Sequence, residues 1–192
     1  MSLSIVCALS PGAPGEDMVR HPAGGPEAAQ EAMSRLYPGR RYVLSGPADP
    51  EAEFVAVQTY GPTVLLVGDD GYKATLPDGW GRFVYSYEST AMAAEFEIDT
   101  PTLQRTVAMS PGVVEMTTGE PLPFEAPFVQ DGAAAGDADT EGLGIAAARW
   151  MFGYEVTSAD PVDWIAFEGT PTQVLRVTSP NGDLHILQPA AV

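Results

Sequence analysis

The sequence predicts an α+β fold: a mostly antiparallel sheet with two helices packed on one face and a C-terminal β-hairpin. Three observations carry that expectation. Period-two alternation recurs along the chain, as where Leu103, Arg105, Val107 and Met109 alternate with Gln104, Thr106, Ala108 and Ser110. Apolar residues fall at helical spacing in two stretches, one starting at Pro26 and one near Glu141. Near the end, Asn181-Gly182 sits between two strand-like runs, a strong hairpin signal.

Taken in order, Leu3-Ser4-Ile5-Val6-Cys7-Ala8-Leu9 is an apolar run too short to span a bilayer and lacks a basic stretch before it, so it reads as a first strand and not a signal peptide. Ser10 to Pro26 is rich in proline and glycine, contains His21 and reads as a long loop. A helix then starts at Pro26, whose missing N–H costs nothing in a first turn, with Glu27 placed to suit the helix dipole. Ala29, Ala32, Met33 and Leu36 mark its apolar face, and Tyr37-Pro38-Gly39 ends it. Strands are expected at 41–44, 53–59, 63–67 and 82–88. Val64-Leu65-Leu66-Val67 is apolar on both faces, as a central strand should be, and Asp69-Asp70-Gly71 turns the chain after it. Residues 89–99 admit a helix starting at Ala91 or a strand carrying Phe96 and Ile98; the strand, pairing with the next one across Thr100-Pro101, is preferred.

After Met109, Ser110-Pro111-Gly112 breaks the run, and Val113-Val114-Glu115-Met116 returns as the second strand of a hairpin. Glu120-Pro121-Leu122-Pro123-Phe124-Glu125-Ala126-Pro127-Phe128 follows; its prolines fix φ and push their predecessors toward extended backbone, so the segment should be stiff without being helix or central strand. Gln130 to Thr140 is a loop of small residues, and a second helix runs from about Glu141 to Phe152, with Leu143, Ala147, Trp150 and Tyr154 at helical spacing and Gly153 near its stop. The hairpin at 174–187 closes the chain. Residues 1–160 form the α+β domain, and 161–192 form an extension packed on it, in one globular unit.

The run SPGVVEMTTGEPLPFEAPF, with RLYPG at Arg35 to Gly39 and RWMFGYEV at Arg149 to Val156, resembles an actinobacterial protein family of unknown function that carries a similar GEPLPFE segment. The similarity spans roughly the first three quarters of the chain, and the part after Asp160 has no counterpart in it. The resemblance implies no activity, cofactor or catalytic residue.

Charge and composition exclude more than they assign. With 26 acidic and 9 basic residues the net charge is −17, so direct nucleic-acid binding and anionic membranes are disfavoured; Arg40-Arg41 is the nearest thing to a basic patch. The single cysteine, Cys7, permits no intramolecular disulfide, and a cytoplasmic location is the default. His21 and His185 are the only histidines, and no nucleophile elbow or phosphate loop accompanies them. Asp137, Asp139 and Glu141, with Gly142 at the sixth position, imitate the start of a calcium loop; the twelfth position is Ala148 where a bidentate glutamate is needed, so capping of the following helix is the simpler role. No cofactor and no metal is expected.

The expected function is a non-catalytic protein-interaction module binding an unknown protein or peptide through segment 119–128. Its partner-binding residues would be Glu120, Leu122, Phe124, Glu125 and Phe128, because a stiff segment loses little entropy on binding and aromatic anchors bury large areas. The competing role for Phe124 and Phe128 is to close the sheet's open end as core. The alternative functions are a small hydrolase using carboxylates in the cleft beside the segment, and an acidic mimic of nucleic acid.

Overall fold

The computed structural model describes residues 3–44, 55–135, 139–153, 156–159, 161, 166–170, 173–179 and 182–190. The chain folds into a large antiparallel sheet with helices on both faces. In chain order the strands are β1 (Leu3–Ser10), β2 (Tyr42–Leu44), β3 (Val55–Tyr60), β4 (Thr63–Val67), β5 (Gly81–Glu88), β6 (Ala93–Asp99), β7 (Gln104–Ser110), β8 (Val113–Thr118), the short pair β9 (Val129–Gln130) and β10 (Ala133–Ala134), then β11 (Ala166–Thr170), β12 (Gln173–Ser179) and β13 (Gly182–Pro189). Across the sheet they lie in the order β11-β12-β13-β3-β4-β1-β5-β6-β7-β8, with β2 also pairing β13. The hairpin expected at the end is β12–β13, in register from Ser179↔Gly182 to Val177↔Leu184; its turn residues Pro180 and Asn181 lie outside the described residues, as does Tyr154.

The first strand is central, between β4 and β5. Burial on both faces explains why β1 and β4 read as continuous apolar runs: Val6, Cys7, Ala8 and Leu9 are all buried, and so are Val64, Leu65 and Leu66. The two faces feed two separate cores. On one, Cys7, Leu9, Val64 and Leu66 pack with Ala29, Met33 and Leu36 of α2 (Pro26–Leu36). On the other, Val6, Ala8, Leu65, Phe83, Tyr85, Phe96 and Ile98 pack with Leu143, Ala147, Met151 and Phe152 of α3 (Thr140–Phe152). The two expected helices therefore cover opposite faces and not one. A central strand that is apolar on both sides needs a cover on both.

The proline- and glycine-rich stretch 10–26 is likewise not all loop: Pro14–Arg20 forms α1. Pro14 takes the first position, Glu16 and Asp17 fall in the first turn, Arg20 in the last, and Met18 is buried on the α3 face. Glu16 and Arg20 form an exposed ion pair at 3.1 Å, of the kind that contributes at most about 1 kcal/mol. What fixes α1 is a close approach to the end of α3. Gly153 caps α3 at φ 68, and a Cβ there would lie 2.7 Å from the Gly15 carbonyl oxygen, so this position must be glycine for the helices to meet, and a Cβ on Gly15 would itself crowd Gly153 N at 3.0 Å. The expected 130–140 loop also contains structure, the β9–β10 pair in register from Gln130↔Ala133.

Candidate functional site

Segment 119–128 leaves the edge strand β8 at Gly119, where φ is 75 and a Cβ would meet the Gln104 carbonyl oxygen at 1.8 Å. Only glycine lets the chain cross the start of β7 so closely. Beyond it a single 3₁₀ turn, Pro123–Glu125, is closed by Glu125 N–H donating to Leu122 O at 3.0 Å. The turn points Glu125 inward against β7. Arg105 Nε donates to Glu125 Oε1 at 2.9 Å, and Nη2 donates to Oε2. The remaining guanidinium nitrogen, Nη1, donates to the carbonyls of Thr118 at 2.9 Å and Gly119 at 2.8 Å, while Leu122 N–H donates to Glu125 Oε1 at 2.9 Å. Arg105 is 2% exposed and Glu125 0%. One bidentate pair thus grips both ends of the bend, and its extra backbone bonds occupy the groups that burial would otherwise leave unmatched.

The sequence carries half of this signal. Arg105 stands in register with Val107 and Met109 on the apolar face of a strand, where a charge demands a partner; the partner's identity follows only from the fold. Of the expected contact residues, Glu125 therefore faces the interior. Glu120 is exposed, and Leu122, Phe124 and Phe128 are half-buried. The Phe124 ring lies between Phe96, 5.3 Å away, and Trp150, 5.5 Å away, centroid to centroid. Phe128 lies over the first turn of α3, so close that a Cβ on Gly142 would be 2.7 Å from its ring. Both rings pack on the core's edge and keep an outer side in solvent.

A cleft of about 450 Å³ opens beside this segment, at the end of the sheet where β1 stops and β5 begins. Its walls are Phe83, the 10–13 loop, Leu103 with the β6–β7 turn, and Trp150. Trp150 is shared: it lines the cleft and packs against Phe124. The 10–13 loop is held from behind by a polar chain. Thr63 Oγ1 donates to Asp17 Oδ2 at 2.7 Å and lies 2.7 Å from Ser10 Oγ, which accepts from Gly12 N–H at 3.2 Å. His21 Nε2 is 3.8 Å from the other Asp17 oxygen. Ser10 is 1% exposed, so this chain ties α1 to β1 and β4.

The remaining sequence candidates are scattered. Asp139 caps α3 by accepting from Gly142 N–H, Glu141 is exposed in the first turn, and Asp137 lies outside the described residues. Among the described residues, no three His, Cys, Asp or Glu side chains gather as a metal site. His185 Nε2 lies 3.1 Å from Gly24 O. Cys7 is buried, and burial pushes its thiol up to about 12, against a smaller opposing effect of Arg82. On the α2 side of β6, beyond the helix, Glu95, Glu97 and Asp99 alternate onto one face. Burial, and then the Glu97 charge, raise Glu95 above the ordinary carboxylate range. Burial, Glu97 and Glu95 together push Tyr72 up to about 12. Among the described residues no helix is long and apolar enough to cross a membrane.

Residues 3–174 match the model of a family described as Family of unknown function (DUF6928). The match runs past Asp160 into β12, so the expectation that the similarity ends before the C-terminal strands is corrected. No curated protein and no solved structure matches the chain.

Proposed function

This chain belongs to that family of unknown function, and we propose that it acts as a non-catalytic interaction module that holds a protein or peptide partner against segment 119–128. The observation that carries this reading is the Arg105–Glu125 clamp. A buried ion pair contributes little to net stability, yet here it fixes an exposed, proline-stiffened bend at Thr118, Gly119 and Leu122. Fixing a surface segment before a partner arrives removes ordering entropy from the cost of binding. Leu122, Phe124 and Phe128 then supply half-exposed apolar area, ringed by the exposed Glu120, Pro121 and Pro123.

The hydrolase alternative needs carboxylates in the cleft, and among the described residues none that lines it is charged. The acidic mimic would use the Glu95–Glu97–Asp99 row, spaced about 7 Å apart as alternate strand residues are; Arg82 is the cross-strand neighbour of Asp99 and interrupts it.

The test is affinity capture with quantitative mass spectrometry, using the wild type, Ala126→Arg and Glu95→Lys/Glu97→Lys. Ala126 is exposed, so its substitution should leave the melting temperature unchanged. The reading predicts a protein enriched by the wild type and by the β6 variant but lost from Ala126→Arg. Loss from the β6 variant alone would favour mimicry, and enrichment indifferent to Ala126→Arg would remove the segment as the binding surface.

A further inference from the structure

We infer that the cleft between the 10–13 loop, the β6–β7 turn and Trp150 is a binding site for a small, neutral, ring-bearing molecule, separate from whatever the proline segment holds. Its volume of about 450 Å³ lies within the roughly 300–1,000 Å³ typical of small-molecule sites. The walls are of the kind that buries a flat ring: Phe83 from the sheet, Leu103 from the β6–β7 turn, Trp150 from α3, and the proline-containing 10–13 loop. The rim has a hydroxyl at Thr102, a polar group that can orient such a ring; that of Thr100 is used within the turn, donating to Leu103 O.

Charge and donor chemistry decide the class. Among the described residues none that lines the cleft is charged, and a protein of net charge −17 repels anions at long range. An anion also needs convergent N–H groups, and on the β6–β7 turn that forms one wall each backbone N–H is occupied or missing. Pro11 and Pro101 have none; Gly12 N–H donates to Ser10 Oγ, Thr102 and Leu103 N–H both donate to Thr100 Oγ1, and Thr100 N–H donates to Leu103 O. A phosphate or carboxylate would be desolvated against that turn with no N–H to meet it. A neutral ring loses little on entering and gains the aromatic and aliphatic walls.

The fold provides a clean way to close the site. A Cβ built on Gly12 meets nothing within 4 Å among the described residues, so a side chain there has room while the residue's N–H bond to Ser10 Oγ is kept. The experiment titrates the protein with indole, and separately with indole-3-acetate as its anionic counterpart, by isothermal calorimetry and saturation-transfer NMR. It uses the wild type, Gly12→Leu and Thr102→Arg, the last at an exposed rim position. Expected are saturable indole binding to the wild type, at least tenfold weaker indole-3-acetate binding, and at least tenfold loss of indole affinity in whichever of the two variants keeps the wild-type melting temperature. The inference is overturned by no saturable indole binding up to its solubility limit, by indole-3-acetate binding as tightly as indole, or by indole affinity unchanged in a folded Gly12→Leu or Thr102→Arg.

Discussion

Replacing Arg105 by methionine tests whether one ion pair holds the bend at 119–125. The substitution keeps the length and apolar stem of the side chain but removes the guanidinium, leaving the Glu125 carboxylate, 0% exposed, with only the Leu122 N–H as a donor among the bonds described above. Breaking a buried pair by removing one partner costs about 3–5 kcal/mol, because the survivor is a buried charge without its counterion. Glu125→Leu should cost a similar amount for the mirror reason. The double variant Arg105→Met/Glu125→Leu removes both charges, so its loss should shrink to the side chain–backbone bonds that vanish with the pair. These are the two from Nη1 to Thr118 and Gly119 and the one from Leu122 N–H, at about 1 kcal/mol each. The double variant should therefore lose about 3 kcal/mol, well below the sum of the single losses. Urea unfolding of all four proteins, with the m-value checked for constancy, measures the cycle. An Arg105→Met loss under about 1 kcal/mol, or two single losses that simply add, would refute a clamp.

Cys7 should resist alkylation by iodoacetamide at pH 8 in the native protein, since burial pushes its thiol up to about 12 and removes it from solvent; its labelling rate should follow the unfolding equilibrium, and labelling at the rate of a free thiol in native buffer would contradict the central placing of β1. Glu95 makes the protein less stable as pH rises. Its folded-state pKa is raised by burial and then by Glu97, so the folded chain binds more protons than the unfolded one in the window above the ordinary carboxylate range. The associated stability is present below that window and is lost as pH climbs through the folded value. Glu95→Gln should flatten this fall in urea midpoints measured at successive pH values, and an unchanged slope would show that the carboxylate is better solvated than its position on β6 implies.

The legible part of this fold is the part that repeats. Alternation in β6 and β7 places Phe96, Ile98, Val107 and Met109 on one face, and the structure buries all four. Residues 26–36 carry their own start, stop and apolar face, and α2 follows them. The layering was also written in the chain, since Val64-Leu65-Leu66 sends side chains to both sides of the sheet and a helix on one face alone leaves the other uncovered. In contrast, α1 was hidden by composition. Its seven residues include Pro14 and Gly15 and only Met18 reaches the core, so the helix depends on tertiary contacts, of Gly15 with Gly153 and of Asp17 with Thr63, that no local window contains. At the candidate site the stiffness of 119–128 is a property of its prolines and could be read directly. The direction in which Glu125 points could not, because it is set by where β7 places Arg105, twenty residues earlier.

Trp150 makes the two proposed surfaces interdependent. Its ring packs 5.5 Å from Phe124 and also walls the cleft, and it stands in the last turn of α3, just before the Gly153 cap that meets α1. A ligand that orders the cleft side of this ring fixes the surface on which Phe124 rests; a partner that presses Phe124 inward fixes the ring from the other side. Binding energies coupled through one side chain are reciprocal, so whatever factor the ligand applies to the partner's affinity, the partner applies to the ligand's. The sign depends on whether both occupants favour one position of the Trp150 ring. The clamp narrows that choice: Arg105 and Glu125 tie the backbone on either side of Leu122 to β7, so Phe124 has little freedom to follow the tryptophan if it moves. A rigid segment against a shared ring favours the case in which the cleft's occupant and the segment's partner select the same arrangement, because any other would be resisted by the buried pair.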